Sequence, residues 1–272
     1  MGKLYVVSTP IGNLEDVSFR ALRVLREVSL IAAEDTRVTR KLLSRYDVHT
    51  RLVPFHEHNQ RFQTGVILRA LDAGDVALVS DAGTPVLSDP GEDLIRTAIG
   101  RGIDIVAVPG PSAITHALTV AGLPVEPFLF AGFLPSPRRE RTTRLAELAS
   151  VRATLVLFEA PHRIRQTLDE LCAAFGDRRI AVCRELTKLH EQVLRTTLAE
   201  AADQVPERGE FTLVVEGAPP PAPPQQAEAE LRLRQLLAEG VSHKDAAEAV
   251  SAELGMPKRQ MYKLSLELTS DA

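Results

Sequence analysis

Four short stretches of this chain bend sharply beside groups that can do chemistry. They are "STPIGN" at 8–13, "AEDTR" at 33–37, "SDAGTP" at 80–85 and "VPGPSA" at 108–113. A second turn, "SDPG" at 88–91, follows the third almost at once and brings Asp89 near Asp81. None of these is a phosphate loop, since no Gly-Lys-Ser/Thr occurs in them and no G-x-G-x-x-G opens a helix. Gly83 and Gly110 permit close backbone approach. Thr84 and Ser112 offer hydroxyls, and a helix beginning near Ser112 presents unpaired N–H groups at its start. Such a set reads a ligand through main chain and small side chains. It suits an adenosine carrying an amino-acid tail better than a triphosphate.

The elements around the bends follow from hydrophobic spacing. Leu4–Val7 reads as a strand ended by Pro10 and Gly12. Val17, Ala21, Val24, Leu25 and Val28 then share one helical face. Apolar segments at 29–33, 76–80 and 103–108 alternate with helical segments at 36–46, 65–74, 91–102 and from 112. Continuous apolar strands alternating with helices predict a parallel or mostly parallel sheet covered on both faces. In open sheets of this kind ligands lie beyond the carboxyl ends of the strands, so the four bends are expected on one rim.

From residue 118 the alternation restarts. "PFLFAGFLP", "TLVLFEAPHR", "RIAVCREL" and "EFTLVVEG" read as strands, with helices at 139–151 and 164–176. The fold class expected is α/β, with a first domain over 1–117 and a second over 118–217. A proline-rich spacer is expected at 218–226 and a small helix-turn-helix-like unit over 227–272. In that unit Ser242 is placed as an N-cap, Gly255 as a helix stop and Pro257 as a first-turn residue.

Composition narrows the function classes. The 272 residues carry 32 Lys and Arg against 36 Asp and Glu, a net charge of −4. A protein that simply coats nucleic acid is usually basic overall, so any RNA contact must be local. Two basic patches qualify: "PRRERTTR" at 137–144, with Arg138, Arg139 and Arg141, and "PKRQMYK" at 257–263, with Lys258 and Arg259. Charge runs also commonly just face water. Two cysteines argue against a disulfide framework, and no apolar run reaches the ~20 residues of a membrane helix. A cytoplasmic protein without membrane partners is expected. His56 and His58 have metal-ligand spacing but no third partner, so no metal is expected.

Together "LYVVSTPIGNLEDVSFRALRVLREVSLIAAEDTRVTRKLL", "LVSDAGTPVLSDPG", "VPGPSAITHALTVAGLP", "FAGFLP" and "FEAPHRI" resemble the ribosomal RNA small subunit methyltransferase I family. That family belongs to the tetrapyrrole-methylase-like class of S-adenosylmethionine-dependent enzymes. The likeness runs from Leu4 to about Gly217, and the tail is similar to the family's helical C-terminal region. It implies methylation of the ribose 2′-hydroxyl of a cytidine in the decoding region of 16S rRNA, with the small ribosomal subunit as partner. It also implies a homodimer and a cofactor cleft between the two α/β domains. The cofactor residues implied are Pro10, Ala82, Gly83, Thr84, Pro85, Leu87, Ser112, Ala113, Leu157 and Phe158. Thr84 stands where tetrapyrrole methylases proper carry an aspartate.

A sulfonium is already a good electrophile, so alignment and exclusion of water dominate and can contribute ~7–11 kcal/mol. The ribose hydroxyl is a weak acid, and a carboxylate that orients it or takes its proton would help. Glu34, Asp35, Asp81, Asp89, Glu159, His162, Glu185 and Lys188 are the groups within sequence reach of the bends. Asp35, Asp81 and Glu159 are the catalytic candidates. Asp35 with Arg37 also reads as an ion pair, and Asp89 as a turn cap. Arg37, His162, Arg163 and Lys188 join the two patches as expected RNA contacts. Two other functions fit the same residues: methylation of a tetrapyrrole precursor, and a non-catalytic RNA-binding module on the same fold.

Overall fold

The computed structural model describes residues 1–220 and 226–270. Residues 221–225, most of the proline-rich spacer expected at 218–226, lie outside the described residues, as do 271 and 272. Two compact units result, Met1–Ala218 and Pro219–Ala272.

The first unit begins with a five-stranded parallel sheet: β1 (Leu4–Val7), β2 (Leu30–Ala33), β3 (Leu52–Pro54), β4 (Val76–Val79) and β5 (Ile105–Val108), in the order β3-β2-β4-β1-β5. Helices α1 (Phe19–Glu27), α2 (Thr36–Arg45), α3 (Gln60–Ala73), α4 (Glu92–Gly100) and α5 (Ala113–Ala121) follow the strands in turn. Period-two alternation splits the strand side chains between two cores. Leu4, Leu30, Ala32, Val76 and Leu78 pack with Ile67, Leu71, Leu94 and Ala98 of α3 and α4. Val7, Ile31, Ala33, Ala77 and Val79 pack with Ala21, Val24, Leu25 and Leu43 of α1 and α2. Each fully buried Leu or Ile contributes about 1.5–3 kcal/mol, so both faces are needed to hold such short strands. The strand β3, only three residues long, was not visible in the hydrophobic pattern.

A second five-stranded sheet has the order β6-β7-β10-β8-β9. Its strands are β6 (Phe128–Phe133), β7 (Thr154–Glu159), β8 (Arg179–Arg184), β9 (Gln192–Thr197) and β10 (Phe211–Val215). Only β6 and β7 pair in parallel; β10 is antiparallel to both β7 and β8, and β8 to β9. Helices α6 (Arg138–Ala149), α7 (Ile164–Phe175) and α8 (Leu198–Gln204) cover one face through Leu145, Leu148, Leu168, Leu171 and Leu198. The other face is covered by α5, whose Ile114, Ala117, Leu118 and Ala121 meet Val156, Ala181, Cys183 and Val214. A domain boundary at 117/118 therefore falls inside α5. That helix leaves the first sheet's rim and packs on the second sheet, joining the two halves through one apolar seam.

The second unit holds α9 (Gln226–Ala238), α10 (His243–Leu254) and α11 (Lys258–Ser270) around Leu233, Ala246, Val250, Met261 and Leu264. The expected caps are present. Ser242 Oγ accepts from Asp245 N, Gly255 takes a left-handed conformation, and the Pro257 carbonyl accepts from Met261 N. No helix among the described residues is long and apolar enough to cross a membrane.

Candidate functional site

The bends gather at the carboxyl ends of β1, β2, β4 and β5 and are tied to one another. Thr9 and Gly83 exchange two main-chain hydrogen bonds of 2.9 and 3.0 Å, an isolated bridge between the bends after β1 and β4. Ser8 Oγ lies 3.1 Å from Thr84 Oγ1, and Thr9 Oγ1 donates to the Ser80 carbonyl. A Cβ at Gly110 would stand 2.9 Å from Ser8 Cβ, so only glycine lets the bend after β5 close on β1. Gly83 has φ +77, which a side chain would strain. The loop that follows holds Val86 at φ 79 and Ser88 at φ 70. Non-glycine residues in that region cost of order 1–3 kcal/mol each, a strain that tends to cluster at functional sites.

These bends form one side of a cavity of about 430 Å³. That lies in the range of about 300–1,000 Å³ of small-molecule sites. Ala82, Gly83, Thr84, Leu87, Ser112, Ala113 and Phe158 line it together. Ile11 and Leu186 add apolar walls, and Glu34, Asp81 and Asp89 form an acidic corner; no Lys or Arg reaches the lining. The lining includes residues from both sheets, so the cavity is a cleft between the two halves of the first unit. Pro10, Pro85 and Leu157 do not line it. Leu157 is a correction with a clear cause. On β7 it alternates with Phe158 and buries its side chain with Leu155 against α6 and α7.

The carboxylates fall into two groups. Asp35 caps α2 and grips Arg37, with Oδ2 2.6 Å from Nη2. Those hydrogen bonds to the guanidinium and main chain of Arg37 hold its pKa down at about 2. It is an ion-paired cap outside the cavity lining, a poor proton acceptor, and Arg37 is engaged with it. Glu159 reaches the cavity lining from β7, but its carboxylate is committed to other partners. Its carboxylate is fully buried and receives Thr167 Oγ1 at 2.6 Å, Arg163 Nη2 at 2.9 Å and its neighbour's Ala160 N at 2.7 Å, with Arg141 Nη2 at 3.7 Å. Asp81 is different. It receives Asp35 N at 2.9 Å, and its own N–H donates to Glu34 Oε2 at 3.2 Å. Burial pushes Asp81 and Glu34 up from the usual carboxylate range; the charges of Asp81 and Asp35 add to it for Glu34, and that of Asp35 adds to it for Asp81. Asp89 rises to about 6, first by burial and then by the charge of Glu34, against a hydrogen bond from Ser80. Of these groups Asp89 is the best matched to proton transfer near neutrality.

The expected RNA contacts divide likewise. Arg138 and Arg139 are exposed at the start of α6, where a cation opposes the helix dipole by about 0.3–1 kcal/mol. Arg141 does not face solvent: it is buried, paired with Glu170 and bonded to Thr167 at 2.6 Å. Its expected RNA contact is withdrawn, because on a helix Arg141 shares a face with Leu145 and Leu148. Lys188 is also committed elsewhere, 2.9 Å from both Glu185 and Glu210. Arg163 binds Glu159 and Ser136, and His162 beside it is exposed. In the second unit Arg259 is exposed and Lys258 pairs with Glu248. Among the described residues no three His, Cys, Asp or Glu side chains converge as metal ligands would.

Comparison with known proteins places this geometry. Residues 3–202 match the family of Tetrapyrrole (Corrin/Porphyrin) Methylases, and 223–269 match the RsmI C-terminal HTH domain. A protein of Synechocystis named Ribosomal RNA small subunit methyltransferase I is 45% identical, covering 100% of both chains. One of the same name from Halalkalibacterium halodurans is 44% identical over 97% of this chain and 94% of its own. The Escherichia coli O157:H7 protein of that name is 41% identical over 98% and 95%. Among solved structures, uroporphyrin-III C-methyltransferase from Thermus thermophilus, complexed with S-adenyl homocysteine, aligns with TM-score 0.57. It is 21% identical and covers 79% of this chain and 97% of that one. Cobalt precorrin-4 methyltransferase aligns with TM-score 0.61 at 19% identity, over 79% and 94%. These two likenesses show the fold.

Proposed function

Since the chain belongs to the ribosomal RNA small subunit methyltransferase I family, we propose that it methylates the ribose 2′-hydroxyl of a cytidine in the decoding region of 16S rRNA. The observation that carries the reading is the cation-free cavity at the rim, built from bends and open to a substrate, in a chain that also has a separate helical unit.

The cavity fits S-adenosylmethionine by its chemistry. Apolar Ile11, Leu186 and Phe158 suit a purine, main-chain groups at 82–84 and 112–113 suit ribose and amino-acid polar atoms, and the acidic corner suits a cation. When bound, S-adenosylmethionine supplies a methyl carbon activated by its sulfonium. The protein's own residues do the rest. The Thr9–Gly83 bridge and the Ser8–Thr84 contact fix the floor before any ligand arrives, so ordering costs little on binding. Asp89 orients the attacking hydroxyl and accepts its proton, and Asp81 with Glu34 keeps Asp89 basic enough to do so. Phe133 and Leu87 shield the reacting centre from water.

Arg138, Arg139, Arg163, Arg259 and Lys258 are read as phosphate contacts that compensate a globally acidic surface. We also read the enzyme as a cytoplasmic homodimer. Val125, Phe128, Leu129 and Phe133 leave an exposed apolar strip along the edge strand β6, which a second copy would cover.

The test is transfer of labelled methyl from S-adenosylmethionine to purified small subunits, followed by alkaline hydrolysis. Label in an alkali-resistant dinucleotide supports the reading, because a 2′-O-methyl group blocks strand cleavage at that position. Incorporation only into a porphyrinoid, or binding of subunits without any transfer, would refute it.

A further inference from the structure

Beyond the strained loop 84–91 lies a second cavity, of about 560 Å³, which shares Glu34, Ser88 and Asp89 with the first. The two are adjoining chambers with Asp89 at the junction. Their linings differ in kind. The second is polar, with His56, Glu57, His58, Gln60, Glu92 and Asp93. Its wall is a built feature. Asn59 Oδ1 accepts from His56 N at 2.9 Å, Asn59 Nδ2 donates to the Pro54 carbonyl, and Asn59 and Gln60 both donate main-chain N–H groups to the His56 carbonyl. On the opposite side Gly91, at φ +140, has no room for a Cβ, which would stand 2.9 Å from Leu78 Cδ2.

The lining restricts the occupant. Five carboxylates line it, Glu34, Glu57, Asp89, Glu92 and Asp93, the last two paired with Arg96, and together they disfavour a phosphate. The described side chains do not converge as metal ligands would. Acceptors predominate, so the lining suits an occupant rich in hydrogen-bond donors. A nucleoside with an exocyclic amino group has that character, since Glu and Asp accept from the cytosine amino group. Phe62, 74% exposed on the first turn of α3 two residues after Gln60, offers an aromatic face outside the cavity lining. Exposed aromatic side chains commonly stack with unpaired bases. Arg61 between them is also exposed and offers a phosphate contact outside the acidic wall.

We propose that this second cavity receives the target nucleoside extruded from its strand, with Glu57 accepting from the base amino group and the ribose hydroxyl presented to Asp89 at the junction. The inference rests on the rRNA methyl-transfer reading. It deepens that reading by assigning base selection to the 56–60 wall instead of to the guiding RNA contacts alone.

The experiment compares small-subunit RNA carrying the target cytidine with the same RNA carrying uridine there, in the wild-type protein, Glu57→Gln and His58→Trp. Donor affinity is measured separately by calorimetry with S-adenosylmethionine. Wild type should prefer cytidine strongly. Glu57→Gln should lower kcat/KM for cytidine by about tenfold and narrow the cytidine-to-uridine ratio by a similar factor. His58→Trp, which fills the chamber, should abolish transfer while donor affinity stays within about twofold. An unchanged preference in Glu57→Gln together with full transfer in His58→Trp would overturn the inference while leaving the methyl-transfer reading intact. Donor heat without transfer to any RNA by the wild type would instead remove the underlying reading, and this inference with it.

Discussion

Replacing Asp89 by asparagine separates its charge from its shape. The side chain keeps an oxygen to accept from Ser80 and still fills the junction between the chambers. What is lost is a carboxylate whose pKa stands at about 6 against an ordinary 3.8, chiefly because it is buried and because Glu34 and Asp81 repel its charge. The sign follows from that direction. A carboxyl raised in the folded state contributes stability that is complete below about pH 3.8 and is lost as pH rises through about 6. Two pH units at about 1.4 kcal/mol each would give nearly 3 kcal/mol of strain at pH 8. Solvent reaches the group through the cavity, and screening reduces this to about 1 kcal/mol. Asp89→Asn should therefore raise Tm by roughly 2–4 °C at pH 8 and leave it unchanged at pH 4. Its methyl transfer should fall by about 10²-fold or more at pH 7.5, while donor affinity is retained. Differential scanning fluorimetry across pH and single-turnover methyl transfer give both readings. Equal Tm shifts at pH 4 and pH 8, or full turnover in the variant, would refute the assignment of Asp89 as a strained proton acceptor.

Other consequences can be checked with the same tools. Wild-type turnover should drop about fivefold between pH 6 and pH 5 as Asp89 protonates, provided binding of both substrates is saturated. Arg141→Ala strips a buried partner from Glu159 and Glu170 and should cost about 3 kcal/mol, a fall in Tm of roughly 10 °C; Arg138→Ala should leave Tm unchanged. Reversing Arg138 and Arg139 to glutamate should weaken subunit binding and flatten its dependence on log salt by about 0.7–0.9 per lost phosphate contact. Gly110→Ala places a methyl 2.9 Å from Ser8 Cβ, and forcing that packing costs about 1–3 kcal/mol; calorimetry should show donor affinity reduced about tenfold.

The rim was legible because its signals are local. Gly83, Gly110, Pro10 and Ser112 punctuate the ends of apolar runs, and the parallel-sheet rule then places those ends together. A block of residues misleads where the period of its element splits it between two faces. "PRRERTTR" looks like one patch, yet Arg141, Leu145 and Leu148 form the inward stripe of α6, leaving Arg138 and Arg139 outside. Along β7, Leu155, Leu157 and Glu159 share the face under α6 and α7, while Val156 and Phe158 share the other. Alternation alone assigns Phe158 to the cleft and Leu157 to the core. What no local signal carried was contact across the chain. The antiparallel order of the second sheet, α5 serving the second sheet, and Asp89 meeting Glu34 all depend on tertiary closure.

A crystal structure with S-adenosylhomocysteine bound addresses the site most directly. The account predicts nucleoside density between the Ala82–Thr84 bend and Phe158, with the sulfur facing the corner of Asp81 and Asp89. Well-ordered ligand at any other place on the protein, with this cleft filled only by water, would contradict it.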